Sequence, residues 1–266
     1  MSLGWIIFIL VLLFFIIIPV IKNKIVSYKR VKKMKSIEEE RDSRVITLIH
    51  RQEILSFIGI PFTRFINIED SEEVLRAIRR TPDDRPIDFI LHTPGGLVLA
   101  AEQIAMAINK HPSQVRVLVP HYAMSGGTLI ALAADKIVMD QNAVLGPVDP
   151  QVRGYPAVSI KNVVRRKDID EIDDETLILE DVAHKATVQL DNFLRKILDD
   201  KFETGEIDKI IANLSRGKFT HDFPLTCEVL QELNIDHHTD LPGMIYELME
   251  LYPQPGKGRP SVYYVN

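Results

Sequence analysis

The chain has 266 residues, of which 46% are hydrophobic and 26% charged, a composition that excludes a disordered or collagen-like chain. It has 32 basic and 37 acidic residues, a net charge of 32 − 37 = −5. Seven of the bases and none of the acids lie in residues 22–35, so residues 36–266 carry 25 bases against 37 acids, a balance of −12. This acidic body argues against nucleic-acid binding. The single cysteine, Cys227, excludes an intrachain disulfide and a cysteine-based zinc site.

The N-terminus is apolar. Residues 3–21 read LGWIIFILVLLFFIIIPVI, which is long enough to cross a hydrocarbon layer of ~30 Å. No basic region precedes this run and no small-residue cleavage site follows it, which disfavours a secretory signal peptide. The basic stretch that comes next predicts a cytoplasmic body and contact with anionic lipid. The sequence therefore predicts a transmembrane helix at 1–22, a basic juxtamembrane segment and linker at 23–44, and a single-pass membrane protein.

The body alternates between strand and helix patterns. Apolar, β-branched runs predict strands at 45–51, 87–91, 115–120 and 136–140. Amphipathic or small-residue patterns predict helices at 69–80, 97–110, 126–134, 179–201, 206–214, 225–234 and 240–253. This order predicts an α/β fold with a mainly parallel sheet. Asp70 or Ser71 is the expected N-cap of the first helix. Residues 152–178 predict an irregular segment with a surface loop, and 253–266 a flexible tail.

Two glycine-rich turns follow buried strands. The first, HTPGG at 92–96, lets backbone N–H groups approach a ligand, although a plain tight turn into a helix is an alternative. The second contains Ser125 followed by two glycines at a helix N-terminus, where Ser125 could also serve only as an N-cap. Both turns belong to the same edge of a parallel sheet. The N–H groups of Gly96 and Gly126 could then form an oxyanion hole beside the Ser125 hydroxyl.

The motifs HTPGGLVLAAEQIAMAI and VPHYAMSGGTLIALAADKIVMDQNAVLGPVDPQ together span residues 92–151. They resemble the serine dehydrogenase proteinase family, which is related to signal peptide peptidase A and to stomatin-associated membrane proteases. The resemblance implies an α/β, Clp protease/crotonase-like fold built from ββα units, with a serine protease domain at 45–252, which the basic stretch predicts to be cytoplasmic. It implies Ser125 as the nucleophile and Gly96 and Gly126 as oxyanion donors. It further implies a homo-oligomer, peptide or protein substrates that include membrane-derived segments, and neither cofactor nor metal.

The general base is harder to place. A Clp-type triad needs a histidine shortly after the nucleophile, and none lies between Ser125 and His184. The related membrane proteases use a Ser-Lys dyad with the lysine at the start of a downstream helix, which implies Lys185. A lysine acts as a base only where burial lowers its pKa from ~10.4. The alternative is a surface lysine paired with Asp181. Weaker candidates for the base are His184, Lys161 and Lys167.

Other residues and functions stay open at this level. A metal site at His221, His237 and His238 lacks a carboxylate at ligand spacing, and Asp149 is expected to cap a turn. A crotonase-like acyl-CoA enzyme would use the same oxyanion hole without Ser125. A non-catalytic membrane scaffold of the same fold predicts a Lys185 that is exposed or far from Ser125.

Overall fold

A computed structural model describes residues 3–55 and 60–252 of the chain. The strands are β1 (Arg44–Ile49), β2 (Gln52–Leu55), β3 (Ile60–Thr63), β4 (Ile87–His92), β5 (Val115–Val119), β6 (Tyr122–Ala123), β7 (Lys136–Met139), β8 (Val144–Leu145), β9 (Gln151–Val152) and β10 (Tyr155–Pro156). The helices are α1 (Leu3–Arg41), α2 (Ile68–Arg79), α3 (Val98–Asn109), α4 (Gly126–Ala133), α5 (Ala157–Arg166), α6 (Asp174–Leu198), α7 (Thr204–Leu214), α8 (Cys227–Glu232) and α9 (Gly243–Glu250). A 3₁₀ turn, Ile169–Glu171, lies between α5 and α6.

The centre of the fold is a parallel four-stranded sheet in the order β1-β4-β5-β7. All six residues of β4 are buried, because helices cover both faces. Phe89 and Leu91 contribute to a core with residues of α2, α3, α4, α6 and α7. Ile90, between them, belongs to a second core with α1 and α9. The alternation of side chains along the strand explains why two helical layers are needed, and it confirms the α/β class.

Helix α1 is continuous over 39 residues, so the polar linker predicted at 23–44 is helical up to Arg41. The charged pattern of 36–41 concealed this, because Ile37 among those charges is fully buried in the second core. Among the residues that the structure describes, no helix has both the length and the apolar character of a membrane span. The transmembrane helix predicted at 1–22 is therefore not supported.

Two further differences from the sequence predictions concern local structure. Segment 152–178 is not an irregular loop, since it contains β9, β10, α5 and the start of α6. The acids at the start of α6 look like loop residues in the sequence, yet they stabilise a helix N-terminus, and Asp173 caps it by accepting from the Thr176 amide. Helix α2 is capped by Asn67, with Asp70 completing the capping box, so neither Asp70 nor Ser71 is the N-cap.

The β2–β3 hairpin was not predicted, and it pairs Gln52 with Thr63 in antiparallel register. The tail predicted at 253–266 lies outside the described residues. The remaining predicted helices and strands occur close to their expected positions, which brings the two glycine-rich turns to one edge of the central sheet.

Candidate active site

The two glycine-rich turns lie side by side. Thr93, which begins the first turn (93–96), pairs in parallel with Ala123, just before the second turn (124–127). The amide of Met124 donates to the Thr93 carbonyl at 2.9 Å. This bridge extends the order of the parallel strands past their carboxyl ends and joins the two turns directly.

The first turn needs glycine because other backbone segments approach it closely. Gly95 has a φ of 102°, in the left-handed region that disfavours other residues. A Cβ on Gly96 would lie 2.2 Å from the carbonyl oxygen of Ile66, which crosses the turn as an extra bridged residue. A Cβ on Gly95 would lie 2.8 Å from the Cβ of Ser125. The glycine pair is therefore what allows the first turn to reach the serine.

Ser125 has an unusual backbone conformation. Its φ of 52° and ψ of −114° lie outside the common regions, at a cost of about 1–3 kcal/mol. It occupies the N-cap position of α4, yet its side chain makes no capping hydrogen bond. The interpretation of Ser125 as a simple N-cap is therefore wrong. A strained serine at the junction of a strand and a helix, whose hydroxyl makes no capping hydrogen bond to the described residues, resembles the geometry of a nucleophile elbow.

Two backbone amides lie next to the serine. Within residues 3–55 and 60–252, no group accepts a hydrogen bond from the N–H of Gly96 or of Gly126. A Cβ on Gly126 would lie 3.8 Å from the amide nitrogen of Gly96, so the two glycines are close neighbours. The Gly126 amide also stands at the positive end of the α4 dipole. Unused amides that lie next to a hydroxyl provide what a developing oxyanion requires.

A polar network supports the first turn from behind. His50 contacts the Asp70 carboxylate through Nε2 at 3.3 Å and the Thr93 hydroxyl through Nδ1 at 2.9 Å. The amide of Gly95 donates to the same hydroxyl at 3.2 Å. His50 and Thr93 are both buried. The network therefore ties the N-terminus of α2 to the turn that carries Gly96.

The comparisons with known proteins bear on this geometry. A family model of ClpP-like SDH-type serine proteinases matches residues 1–266, the whole chain.

The chain belongs to this family of serine proteinases. The resemblance inferred from the sequence motifs is thereby confirmed.

Two uncharacterized proteins of Methanocaldococcus jannaschii are similar to this proteinase. MJ1495 is 55% identical over 237 residues, which cover 89% of this chain and 81% of the relative. MJ0137 is 54% identical over 256 residues, which cover 96% and 90%. Among solved structures, ClpP1 from Listeria monocytogenes matches 75% of this chain and 92% of its own, with 15% identity and a TM-score of 0.47. A mutant of the same protein matches the same shares with 17% identity and a TM-score of 0.44.

The predicted base of the proteinase, Lys185, lies on an exposed face of α6. Its side chain is 65% accessible, and its ammonium group pairs with Asp181 one helical turn earlier. The structure thus shows the arrangement that the sequence allowed as the alternative. Lys185 lacks the burial on which its predicted role as a base depends. The weaker candidates His184 and Lys167 are also exposed, and Lys161 is half-buried.

A desolvated lysine does exist elsewhere in this proteinase. Burial lowers the pKa of Lys201 to about 8. Its ammonium group donates to the carbonyls of Leu132 and Ala134, at 3.0 and 2.8 Å. These carbonyls belong to the C-terminal end of α4, whereas Ser125 precedes the N-terminal end. Lys201 therefore caps the helix and is not placed to take a proton from Ser125.

His92 ends β4 directly before the first turn and is fully buried. Neither ring nitrogen has a hydrogen-bond partner among the described residues, and the ring packs against His121 and Tyr122. Burial, with a contribution from the positive charge of Arg51, lowers the pKa of His92 to about 3. The ring is therefore neutral at ordinary pH and acts as a packing element under the turn.

Sequence reasoning missed a histidine–carboxylate pair. Asp149, expected to cap a turn, is almost fully buried, and its Oδ1 lies 2.7 Å from Nδ1 of His221. The second carboxylate oxygen of Asp149 accepts a hydrogen bond from the side-chain amide of Gln151 at 2.7 Å. The residues of the pair are 72 positions apart, so no local motif reveals it. The two residues come together because Leu145 pairs with Leu225 in the fold.

In the part of the chain that the structure describes, these histidines do not belong to a cluster of metal-ligating residues. Over the described ranges, no group of three or more His, Cys, Asp or Glu residues is arranged to hold a metal ion. The backbone of His238 instead extends the central sheet, since its amide donates to the Ile137 carbonyl at 2.9 Å. The segment around His237 and His238 is thus part of the sheet edge.

Proposed function

We propose that this proteinase hydrolyses internal peptide bonds, with Ser125 as the nucleophile and the N–H groups of Gly96 and Gly126 as the oxyanion hole. The observation that carries the proposal is the strained, uncapped serine beside two amides that no described residue uses. The hydroxyl oxygen attacks the scissile carbonyl, and the carbonyl oxygen moves toward the two amides as it gains charge. The amine leaves, and water then hydrolyses the acyl-serine.

The substrate side of the site supports an apolar peptide. Three apolar residues directly follow the first glycine-rich turn, and each is more than half exposed: Leu97, Val98 and Leu99. An extended peptide that places its carbonyl at Gly96 would contact these side chains. We therefore propose apolar segments, including membrane-derived ones, as substrates. Because ClpP-like proteins commonly form homo-oligomers, we also propose a homo-oligomer for this chain.

Labelling with a fluorophosphonate tests the nucleophile. We expect a covalent adduct that mass spectrometry maps to Ser125, because an activated serine beside an oxyanion hole reacts with such probes. The adduct should be absent in Ser125→Ala and retained in Ser159→Ala, which alters an exposed serine of α5.

A folded wild-type protein that forms no adduct and cleaves no peptide would favour the non-catalytic scaffold. Hydrolysis or hydration of an acyl-CoA that persists in Ser125→Ala would favour the crotonase-like enzyme. Either result contradicts the proposed function.

The Ser-Lys dyad is a rival assignment of the base, and it rests on the resemblance alone. Lys185 would have to leave Asp181 and enter a desolvated position, in its own subunit or in a neighbour of the oligomer. Substituting Lys185 by methionine, which keeps the length of the side chain but removes the amine, tests this dyad directly.

The membrane anchor also remains a proposal from the sequence, supported by the uncharged residues 1–21 and the basic residues 22–35. We expect the full chain to stay in the membrane fraction through alkaline carbonate washing. The double substitution of Leu10 and Phe14 by arginine should release it, because each charge in hydrocarbon costs about 2.5–3.5 kcal/mol. Release of the unaltered chain by carbonate would contradict the anchor.

A further inference from the structure

The Asp149–His221 pair has the form of a positioned base. Asp149 is 4% exposed and accepts one hydrogen bond from His221 and one from Gln151, so both carboxylate oxygens are occupied. With Nδ1 of His221 donating to the carboxylate, its Nε2 is left as the acceptor. The His221 side chain is 38% exposed, so it is held on one side and accessible on the other. A carboxylate that orients a histidine is the usual support of a general base.

The strand register directs this pair toward the serine. Ala123 of β6 pairs in parallel with Leu145 of β8, so the chain leaves both strands at the same end, toward Ser125 from β6 and toward Asp149 from β8. Leu145 in turn pairs with Leu225 in antiparallel register, with reciprocal hydrogen bonds of 3.1 and 2.9 Å.

Beyond this bridge the two segments are not strands, yet they remain in contact. Asp149 lies four residues after Leu145, and His221 lies four residues before Leu225, and a hydrogen bond joins their side chains. The pair therefore lies beyond the end of β8, on the side where Ser125 follows β6.

Contacts on either side of Ser125 hold it beside the segment that follows β8. A Cβ on Gly146 would lie 2.6 Å from the Met124 side chain, and the Gly146 amide donates to the Thr128 hydroxyl at 3.0 Å. Ser125, between Met124 and Thr128, therefore lies next to the segment that carries Asp149.

We propose that His221, held by Asp149, is the general base of Ser125. This inference rests on the proposed function and assigns it a base other than Lys185. Asp149 is a positioning residue, since it acts on His221 and not on the substrate.

Nε2 of His221 carries the proton at each step of the proposed reaction. Nε2 of His221 takes the hydroxyl proton of Ser125 while the oxygen bonds to the carbonyl carbon, and the carbonyl electron pair moves to the oxygen held by the two amides. Collapse of this intermediate breaks the carbon–nitrogen bond, and the proton on Nε2 goes to the leaving amine. A water molecule then gives its proton to Nε2 as it attacks the acyl carbon, and that proton returns to Ser125 as the acid product leaves.

Three single substitutions test the assignment in the full-length protein. His221→Gln should lower both the rate of fluorophosphonate labelling at Ser125 and the rate of peptide hydrolysis by about 10²–10⁴-fold, the usual contribution of a general base. His184→Gln, which alters an exposed histidine of α6, should leave both rates within about twofold. Lys185→Met should behave like this control.

The pH profile tests Asp149 in a way that loss of structure would not reproduce. The hydrogen bond and charge of Asp149, with a smaller contribution from Asp222, raise the pKa of His221, and burial opposes them. Since the base must be neutral, kcat/KM should rise with pH through this pKa. Asp149→Asn removes the carboxylate charge, so the rise should move to lower pH as the maximal rate falls.

The labelling results distinguish a failure of the His221 assignment from a failure of the proposed function. Labelling of Ser125 that is unaffected by His221→Gln but lost in Lys185→Met overturns the His221 assignment and leaves the proposed function intact. Absence of labelling in the wild type overturns the proposed function itself. Circular dichroism establishes that each variant is folded. Because His221 is partly exposed, His221→Gln decides the assignment even if Asp149→Asn does not fold.

Discussion

Replacing Ser125 by alanine should lower kcat/KM for peptide hydrolysis by on the order of 10⁴–10⁶-fold, as in serine proteases that lose the nucleophile but keep the oxyanion hole. The free energy of unfolding should hardly change, because the hydroxyl makes no capping hydrogen bond to any part of the chain that the structure describes. A peptide substrate with a fluorogenic leaving group and urea denaturation measure the two quantities.

Ser125→Gly is the informative companion to the alanine variant. It removes the hydroxyl and also relieves the backbone strain at a φ of 52°. We expect it to be as inactive as Ser125→Ala yet more stable by about 1 kcal/mol, since relief of strain is offset in part by the greater freedom of glycine in the unfolded chain. Substantial hydrolysis by either variant would show that another residue is the nucleophile.

Replacing Asp88 by asparagine should lower the free energy of unfolding by about 3–5 kcal/mol, the cost of breaking a buried ion pair on one side. Asp88 lies in β4 and is fully buried. It accepts from Arg41 at the end of α1, from Arg116 of β5 at 2.6 Å, and from the Ser43 hydroxyl at 2.8 Å. Without its charge, two guanidinium groups lose their counterion in the interior.

The matched control for Asp88 is Glu73→Gln, which breaks an exposed pair with Arg76 on α2. Exposed pairs contribute about 0–1 kcal/mol, so this variant should remain close to wild type in urea denaturation. A similar loss for both variants would mean that Asp88 does not connect α1 to the sheet as the geometry implies. The comparison is best made at constant salt, because only the exposed pair is well screened.

The glycine-rich turns could be predicted because their requirements are local. Consecutive glycines at 95–96 and 126–127 follow strand-like runs, and the observed close approach of Ile66 to Gly96 explains one of these pairs directly. The order of the central strands and the helices between them was equally accessible, since β4 is a short apolar run and α3 a long apolar one. Their meeting at one sheet edge follows from parallel strand order.

Helical turns that lie in charged sequence were harder to predict. The N-terminal turn of α6 and the last turns of α1 contain many charges, and the polar pattern alone suggests loops. Isolated apolar residues within them, such as Ile37, pack against residues distant in the chain. Helical stability there comes from tertiary packing, which propensity does not report.

The amino-acid sequence by itself determined the family, the order of the central strands with the helices between them, and the two glycine-rich turns, the second of which contains Ser125. Only the tertiary structure decided which charged groups are buried and with whom they pair. Lys185 is left in solvent with Asp181, whereas Asp149 is enclosed and joined to His221 across 72 residues. The physical reason is that desolvation depends on whatever packs around a group, and those neighbours come from elements far apart in the chain.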